Sequence, residues 1–240
     1  MIERIPKKIH YCWFGEKKIS EETKKYIKTW KKYCPDYEII KWDETNFDIN
    51  ANKFVKEAYK NKKYAFVSDY ARLEIIYENG GIYLDTDVEV LRNMDELLNN
   101  TTYFPIQQSD RKIATGLGFG SIKGTRIIKE MMSVYENISF NPNELMKLSC
   151  PELNTEILKK YGYRYSNKIE NIPEINAAIY PPEYFDPIAP GDTENLLTKN
   201  TYSIHHYAAS WTPYKNRVKR KIFNLIGQKN VNEIKKWIRR

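Results

Sequence analysis

The sequence predicts an α/β domain on a Rossmann-like, mostly parallel sheet flanked by helices, and two observations lead there. The first is a β-α-β opening: apolar residues 5–14 (IPKKIHYCWF), helical residues 20–34 (SEETKKYIKTWKKYC) and apolar residues 37–43 (YEIIKWD). A crossover helix between two strands places them parallel. The second is a repeat of that alternation, in which a helical stretch at 66–81 runs straight into Ile82-Tyr83-Leu84. Such sheets bind ligands outside the carboxyl ends of their strands.

Each element has its local cause. Gly15 ends the first strand; Ser20 is the expected N-cap of a helix whose Tyr26, Ile27 and Trp30 share a face. A short helix is expected over 52–61. In 66–81, Ser68 reads as N-cap, Asp69 as a first-turn acid, Leu73, Ile76 and Tyr77 as the apolar stripe, and Gly80 as the stop. Helices near 125–136 and 152–161 and strands near 103–107 and 201–207 complete the set. No internal repeat interrupts it, so residues 1–214 are expected to form one catalytic domain and 215–240 an appended tail.

Composition narrows the function classes. With 240 residues, 41% hydrophobic and 14% aromatic, the chain can bury a substantial core. The net charge of +8 is local: Lys215 to Arg240 hold ten Lys/Arg and one acid, leaving 29 basic and 30 acidic residues elsewhere. A nearly neutral body argues against a nucleic-acid groove. Three cysteines (Cys12, Cys34, Cys150) form no CxxC pair, which fits reduced thiols and a cytoplasmic protein. No signal peptide and no membrane span are expected, since the N-terminus lacks a long apolar run and no stretch of 18 apolar residues occurs. In the tail, Val218, Ile222, Leu225 and Ile226 follow helical spacing among Lys and Arg. A basic amphipathic helix of that kind either lies on an anionic membrane surface, as a peripheral protein on the inner face, or packs on the body.

The chemistry concentrates in GGIYLDTDVEV, residues 80–90. On a continuing strand, Tyr83, Asp85, Asp87 and Glu89 point the same way. Two carboxylates so close oppose each other's ionisation unless water or a cation stabilises them. They are either the wet face of a sheet or half of a site for a hard cation such as Mg²⁺ or Mn²⁺. Asp69 and Arg72, three apart on the preceding helix, are either an ordinary surface ion pair or a donor–acceptor grip for sugar hydroxyls. GLGFGSIKG (116–124) lacks the Lys-Ser/Thr ending of a phosphate loop and reads as a turn region flanking a ligand pocket, where small residues permit close approach. CPELNTEIL (150–158) is a Pro-containing turn that opens a helix, in which Asn154 or Glu156 reads as a structural cap.

Four blocks in order, IPKKIHYCWFG, SDYARLEIIYENGG, GGIYLDTD and HHYAASW, resemble glycosyltransferase family 32, which includes capsular-polysaccharide sugar transferases and fungal initiating mannosyltransferases. GGIYLDTD is also similar to the catalytic domain of the large bacterial glucosylating toxins. The resemblance spans residues 5 to about 212 and implies a GT-A type fold and a metal-dependent, retaining transferase. Such an enzyme moves a sugar from a nucleotide-sugar, UDP-linked by preference or GDP-linked, to a glycan or lipid-linked acceptor in surface polysaccharide synthesis. It implies that Trp13 stacks on the base, that Asn46 approaches base or ribose, and that Ser68, Asp69 and Arg72 line the donor-sugar pocket. Tyr83 would border the donor, Asp85 would face ribose and metal, Asp87 would bind the metal, and Trp211 would donate to the β-phosphate. The expected catalytic set is Asp69, Arg72, Asp85 and Asp87, and the expected ion is Mn²⁺ or Mg²⁺. Of the adjacent His205 and His206, either could complete the metal shell, and the spacing to Trp211 favours His206.

Two other readings compete. YLDTDVEV also fits a haloacid-dehalogenase-type phosphatase, with Asp85 as nucleophile and Asp87 as acid/base, but no acidic pair follows at a later strand end. A nucleotide-sugar-binding module without turnover is the third.

Overall fold

The computed structural model describes residues 3–191 and 193–208; Trp211 and the 215–240 tail lie outside the described residues. In chain order the elements are β1 (Lys8–Cys12), α1 (Glu21–Tyr33), β2 (Glu38–Trp42), α2 (Lys53–Lys60), α3 (Tyr64–Asn79), β3 (Gly81–Tyr83) and β4 (Val88–Val90). They continue with β5 (Thr102–Pro105), β6 (Phe119–Ser121), α4 (Arg126–Glu136), α5 (Cys150–Lys159), β7 (Glu170–Ile172), β8 (Ala177–Tyr180), α6 (Pro182–Phe185) and β9 (Ser203–His205). Seven strands form the central sheet in the order β2-β1-β3-β6-β5-β8-β7, and β4 and β9 form a separate ribbon. Strands β1, β2, β3, β5 and β8 point one way and β6 and β7 run against them. The mainly parallel sheet expected from the β-α-β opening is present.

Period-two alternation divides the core between the two faces of this sheet. Tyr83 and Phe104 pack toward α2, α3 and α4 with Phe54, Val67, Leu73, Ile128 and Met131. Their neighbours Ile82, Leu84 and Tyr103 pack the other way, against Trp30, Val88, Met94 and Phe185. Ser20 caps α1 as expected, its Oγ accepting from the Thr23 N–H at 3.0 Å. The Trp30 indole donates to the Val88 carbonyl at 2.7 Å, tying α1 to the β4 ribbon.

Helix α3 differs from expectation at its start. It begins at Tyr64, so Ser68 and Asp69 sit in its second turn, and the Ser68 hydroxyl donates back to the Tyr64 carbonyl at 3.1 Å instead of capping. The reason is burial on nearly every side: Phe66, Val67, Tyr70, Ala71, Arg72, Leu73, Ile75 and Ile76 are all buried, which erases the amphipathic period that marks a surface helix. Its end is as expected. Gly80 and Gly81 adopt φ of 63° and 111°, the left-handed region open to glycine, and fold the chain directly into β3. His10 locks this turn, since its Nε2–H donates to the Gly80 carbonyl at 2.9 Å while Nδ1 accepts from the Trp42 indole at 3.0 Å. Burial holds His10 neutral, pushing its pKa down to about 4.

Strand β3 stops at Tyr83, so Asp85 and Asp87 do not share one strand face. Asp85 N–H donates to the Gly116 carbonyl and Val88 N–H to the Asp85 carbonyl, and the resulting turn redirects the chain into β4. The glycine-rich segment is correspondingly more regular than a turn region: Thr115–Leu117 is one 3-10 turn and Phe119–Ser121 is a central strand.

Candidate active site

The turn between β3 and β4, the middle of α3 and the end of β9 meet at one place. Asp85 has one carboxylate oxygen committed to the protein, as Oδ1 receives Arg72 Nη2 at 3.2 Å and the Tyr83 hydroxyl at 3.1 Å. Its Oδ2 faces His205 Nε2 at 4.0 Å. Asp87 is divided likewise: Oδ2 accepts the Ala208 N–H at 2.8 Å, and Oδ1 lies 3.1 Å from His205 Nε2. One ligand atom from each of Asp85, Asp87 and His205 lies within 4.8 Å of the others, the one group of this kind among the described residues. Two carboxylate oxygens and an imidazole nitrogen form a donor set suited to Mn²⁺ or Mg²⁺, with room in the shell for water or phosphate oxygens.

Electrostatics within the cluster follow from these contacts. Burial raises the Asp85 carboxyl; Arg72 opposes this, but the charge of Asp87 adds to it and the net direction is upward. Burial acts on Asp87 too, yet His205 and the Ala208 N–H outweigh it and hold Asp87 at about 2. For His205, burial disfavours the proton, but Asp87, with Asp85 and Asp186, overcomes it and lifts the imidazole to about 9. A ring in that state serves a cation only after releasing the Nε2 proton.

Arg72 is fixed from three sides. Its Nη2 lies 3.0 Å from Asp69 Oδ1, its Nε donates to the Ser68 carbonyl at 3.0 Å, and its guanidinium covers the Tyr83 ring at 4.9 Å from the centroid. The Arg72 and Asp69 side chains are only 4% and 13% exposed, so this is a buried pair and not a surface one. Burial, with Asp85 nearby and only partly offset by Arg72, pushes Asp69 up to about 6. Behind it, Thr115, Cys150 and Asn154 pack together, with Thr115 Oγ1 3.2 Å from the Cys150 sulfur and Asn154 Nδ2 3.2 Å from Thr115 Oγ1. The Cys150 backbone N–H favours the charged form of Asp69 and is outweighed by burial.

Other expected residues have surroundings of their own. His206 does not face the aspartates; its Nε2 lies 2.8 Å from Glu89 and its ring stacks on Tyr26 at 4.7 Å. Strand register decides this. Val88 pairs with His205 and Glu89 with Ile204, so buried Val88, Val90 and Ser203 share the inner face with His205, while Glu89 and His206 share the outer one. Tyr83 does not border an open pocket: it is 1% exposed and supports Asp85 from beneath. Asn46 is exposed and used up in the turn after β2, its Oδ1 accepting from Asp43 N–H and its Nδ2 donating to the Lys41 carbonyl. Trp13 is half-buried with its indole donating to the Lys17 carbonyl at 2.6 Å. Glu156 is exposed and paired with Lys159, whereas Asn154 is buried behind Arg72. A depression of about 400 Å³ lined by Arg4, Ile5, Pro6, Lys7, Asp95 and Leu98 shares none of the cluster's residues.

Sequence reasoning missed Thr115, Asp186 and Tyr207 as parts of this neighbourhood, whereas Gly116 and Cys150 fall in segments, 116–124 and 150–158, that it singles out without giving either residue a role. Only topology brings them in, and their local signals, a glycine-rich run and a helix start, point to backbone shape alone.

Known proteins resemble this chain in sequence and in fold. A family model described as the glycosyltransferase sugar-binding region containing the DXD motif matches residues 20–104, the segment that carries Asp69, Arg72, Asp85 and Asp87. An uncharacterized glycosyltransferase of Acanthamoeba polyphaga mimivirus is 23% identical over 88% of this chain and 85% of its own. An inositol phosphoceramide mannosyltransferase of Schizosaccharomyces pombe is 28% identical over 57% of this chain, which spans only 39% of that relative's length. Among solved structures, the PaToxG glycosyltransferase superposes with a TM-score of 0.54 at 23% identity, covering 66% of this chain and 69% of its own. That likeness is one of fold, and the central, mainly parallel sheet with flanking helices is the GT-A arrangement.

Proposed function

We propose that this chain, a glycosyltransferase of the DXD type, uses Asp85, Asp87 and His205 to hold a divalent cation against the diphosphate of a nucleotide-sugar donor. The convergence of those three ligand atoms within 4.8 Å carries the reading. When bound, such an ion neutralises charge on a departing nucleoside diphosphate. The protein's part is preorganisation: Arg72, Tyr83 and the Ala208 N–H each occupy one carboxylate oxygen and leave the other aimed inward. Asp69, partly exposed beside the aspartates, offers an acceptor for sugar hydroxyls, and Arg72 holds the Asp69 and Asp85 carboxylates in place.

Resemblance to family 32 supports a retaining transfer, a UDP-sugar or GDP-sugar donor and a glycan or lipid-linked acceptor of surface polysaccharide; Mn²⁺ is the favoured ion. Leaving-group stabilisation, more than a covalent nucleophile, fits the local chemistry, since burial pushes the nearby thiols of Cys12 and Cys150 up to about 12. The ten basic residues of 215–240 support a peripheral position on an anionic membrane face.

Donor hydrolysis across UDP- and GDP-sugars, with Mn²⁺ and with chelator, tests the proposal. One donor is expected to be consumed only with the ion, and Asp87→Asn is expected to lower that rate at least roughly 100-fold while the circular dichroism is unchanged. A folded Asp87→Asn with full activity would overturn it. Nucleotide binding in Mn²⁺ without turnover would favour the binding module, and rapid phosphate release from phosphomonoesters the phosphatase.

A further inference from the structure

We propose that Asp186 and Tyr207 are positioning residues that hold the 205–208 turn in the shape presenting His205 Nε2 and the Ala208 N–H to Asp87. The turn has an unusual backbone: Tyr207 sits at φ 50°, in a left-handed region that bulky side chains rarely adopt. That bend lets two consecutive features of one strand end serve one aspartate, with His206 N–H on the Asp87 carbonyl at 2.9 Å and Ala208 N–H on its Oδ2. Something must hold Tyr207 there, and the contacts identify it. The phenol donates to Asp186 Oδ2 at 2.7 Å, and its ring meets the His205 ring edge-on at 4.2 Å.

Asp186 is built as an anchor. It follows α6, is 0% exposed, and its Oδ2 also receives the Gln108 N–H at 2.7 Å. Gln108 in turn clasps the loop beyond, its side chain bonded to the backbone of Asp186 and Glu194. A carboxylate buried this deeply is costly unless its contacts need it. Asp186 Oδ1 and His205 Nδ1 are both buried without a hydrogen-bond partner among the described residues. A His205 that offers Nε2 to a cation carries its proton on Nδ1. Outer groups that orient a ligating histidine commonly govern metal affinity by 10- to 100-fold.

The inference rests on the cation reading above, so its test separates the two. Amide hydrogen exchange by NMR on the metal-free full chain reads the turn alone, and Mn²⁺ titration calorimetry reads the ligand set. Tyr207→Phe is expected to lower Ala208 amide protection at least roughly tenfold while the β4–β9 amides keep theirs, and to weaken Mn²⁺ binding about tenfold. Asp186→Ala is expected to do the same, and the double variant to be no worse than either alone, because the two act as one unit. Unchanged Ala208 protection in Tyr207→Phe overturns the inference, and this variant decides the matter if Asp186→Ala fails to fold. If the unaltered chain binds no Mn²⁺, the cation reading fails, and the amide result still decides the role of the pair.

Discussion

A Cβ at position 116 would overlap Asp85 Oδ2 and sit 3.0 Å from Arg72 Nη1, so the absence of a side chain there is a condition for the carboxylate's placement. The Gly116 carbonyl also receives the Asp85 N–H at 3.2 Å, which fixes the same residue from its backbone. Gly116→Ala is expected to displace Asp85 and lower kcat/KM at least roughly tenfold, while overpacking costs about 1–3 kcal/mol of stability. Donor hydrolysis and thermal unfolding check both parts; full activity would show that Asp85 need not stay where Gly116 lets it sit. At this scale the sequence was legible wherever a motif was contiguous, as with the Asp85–Asp87 couplet and the Asp69–Arg72 spacing. The choice between His205 and His206 was not, because strand alternation gives two phases and only pairing with Val88 and Glu89 on β4 selects one.

Among the elements, the α3-to-β3 turn carries the most consequence, since it delivers Asp69 and Arg72 from one side and Asp85 from the other. His10 holds it by donating to Gly80, and this makes stability depend on pH. The pKa of His10 is about 6.5 unfolded and about 4 folded. Above 6.5 the ring is neutral in both states and the full stability is present. As pH falls toward 4 the unfolded chain takes up the proton first, and up to about 3 kcal/mol is lost. Urea unfolding of the natural chain and His10→Gln at pH 7 and pH 4.5 checks this: the natural chain is expected to lose more stability than the variant on acidification, and an equal loss would contradict it. Element boundaries were legible where caps or glycines act locally, at Ser20 and at Gly80. The start of α3 was hidden because a helix buried on most sides shows no polar face, and the stop of β3 at Tyr83 was hidden because the Gly116 backbone that turns the chain lies far along the sequence.

For the whole molecule, the β-α-β opening was enough to announce a mainly parallel sheet, whereas antiparallel β6 inserted between β3 and β5 has no such local mark. That insertion brings Gly116 against Asp85 and Thr115 against Arg72, so the contacts that the sequence leaves unspecified are the ones made by topology. The charge asymmetry also belongs to this scale. With ten basic residues in the last 26 positions, the full chain is expected to sediment with vesicles containing phosphatidylserine at low salt and to be released at high salt. Equal recovery with neutral vesicles would argue for a tail that packs on the body. The cation site is the claim on which the rest depends, and anomalous scattering at the manganese edge from crystals grown with Mn²⁺ and a nucleoside diphosphate tests it most directly. The expected result is a single peak within roughly 2.5 Å of Asp85, Asp87 and His205; nucleotide bound with no peak there, or a peak held instead by His206 and Glu89, would contradict it.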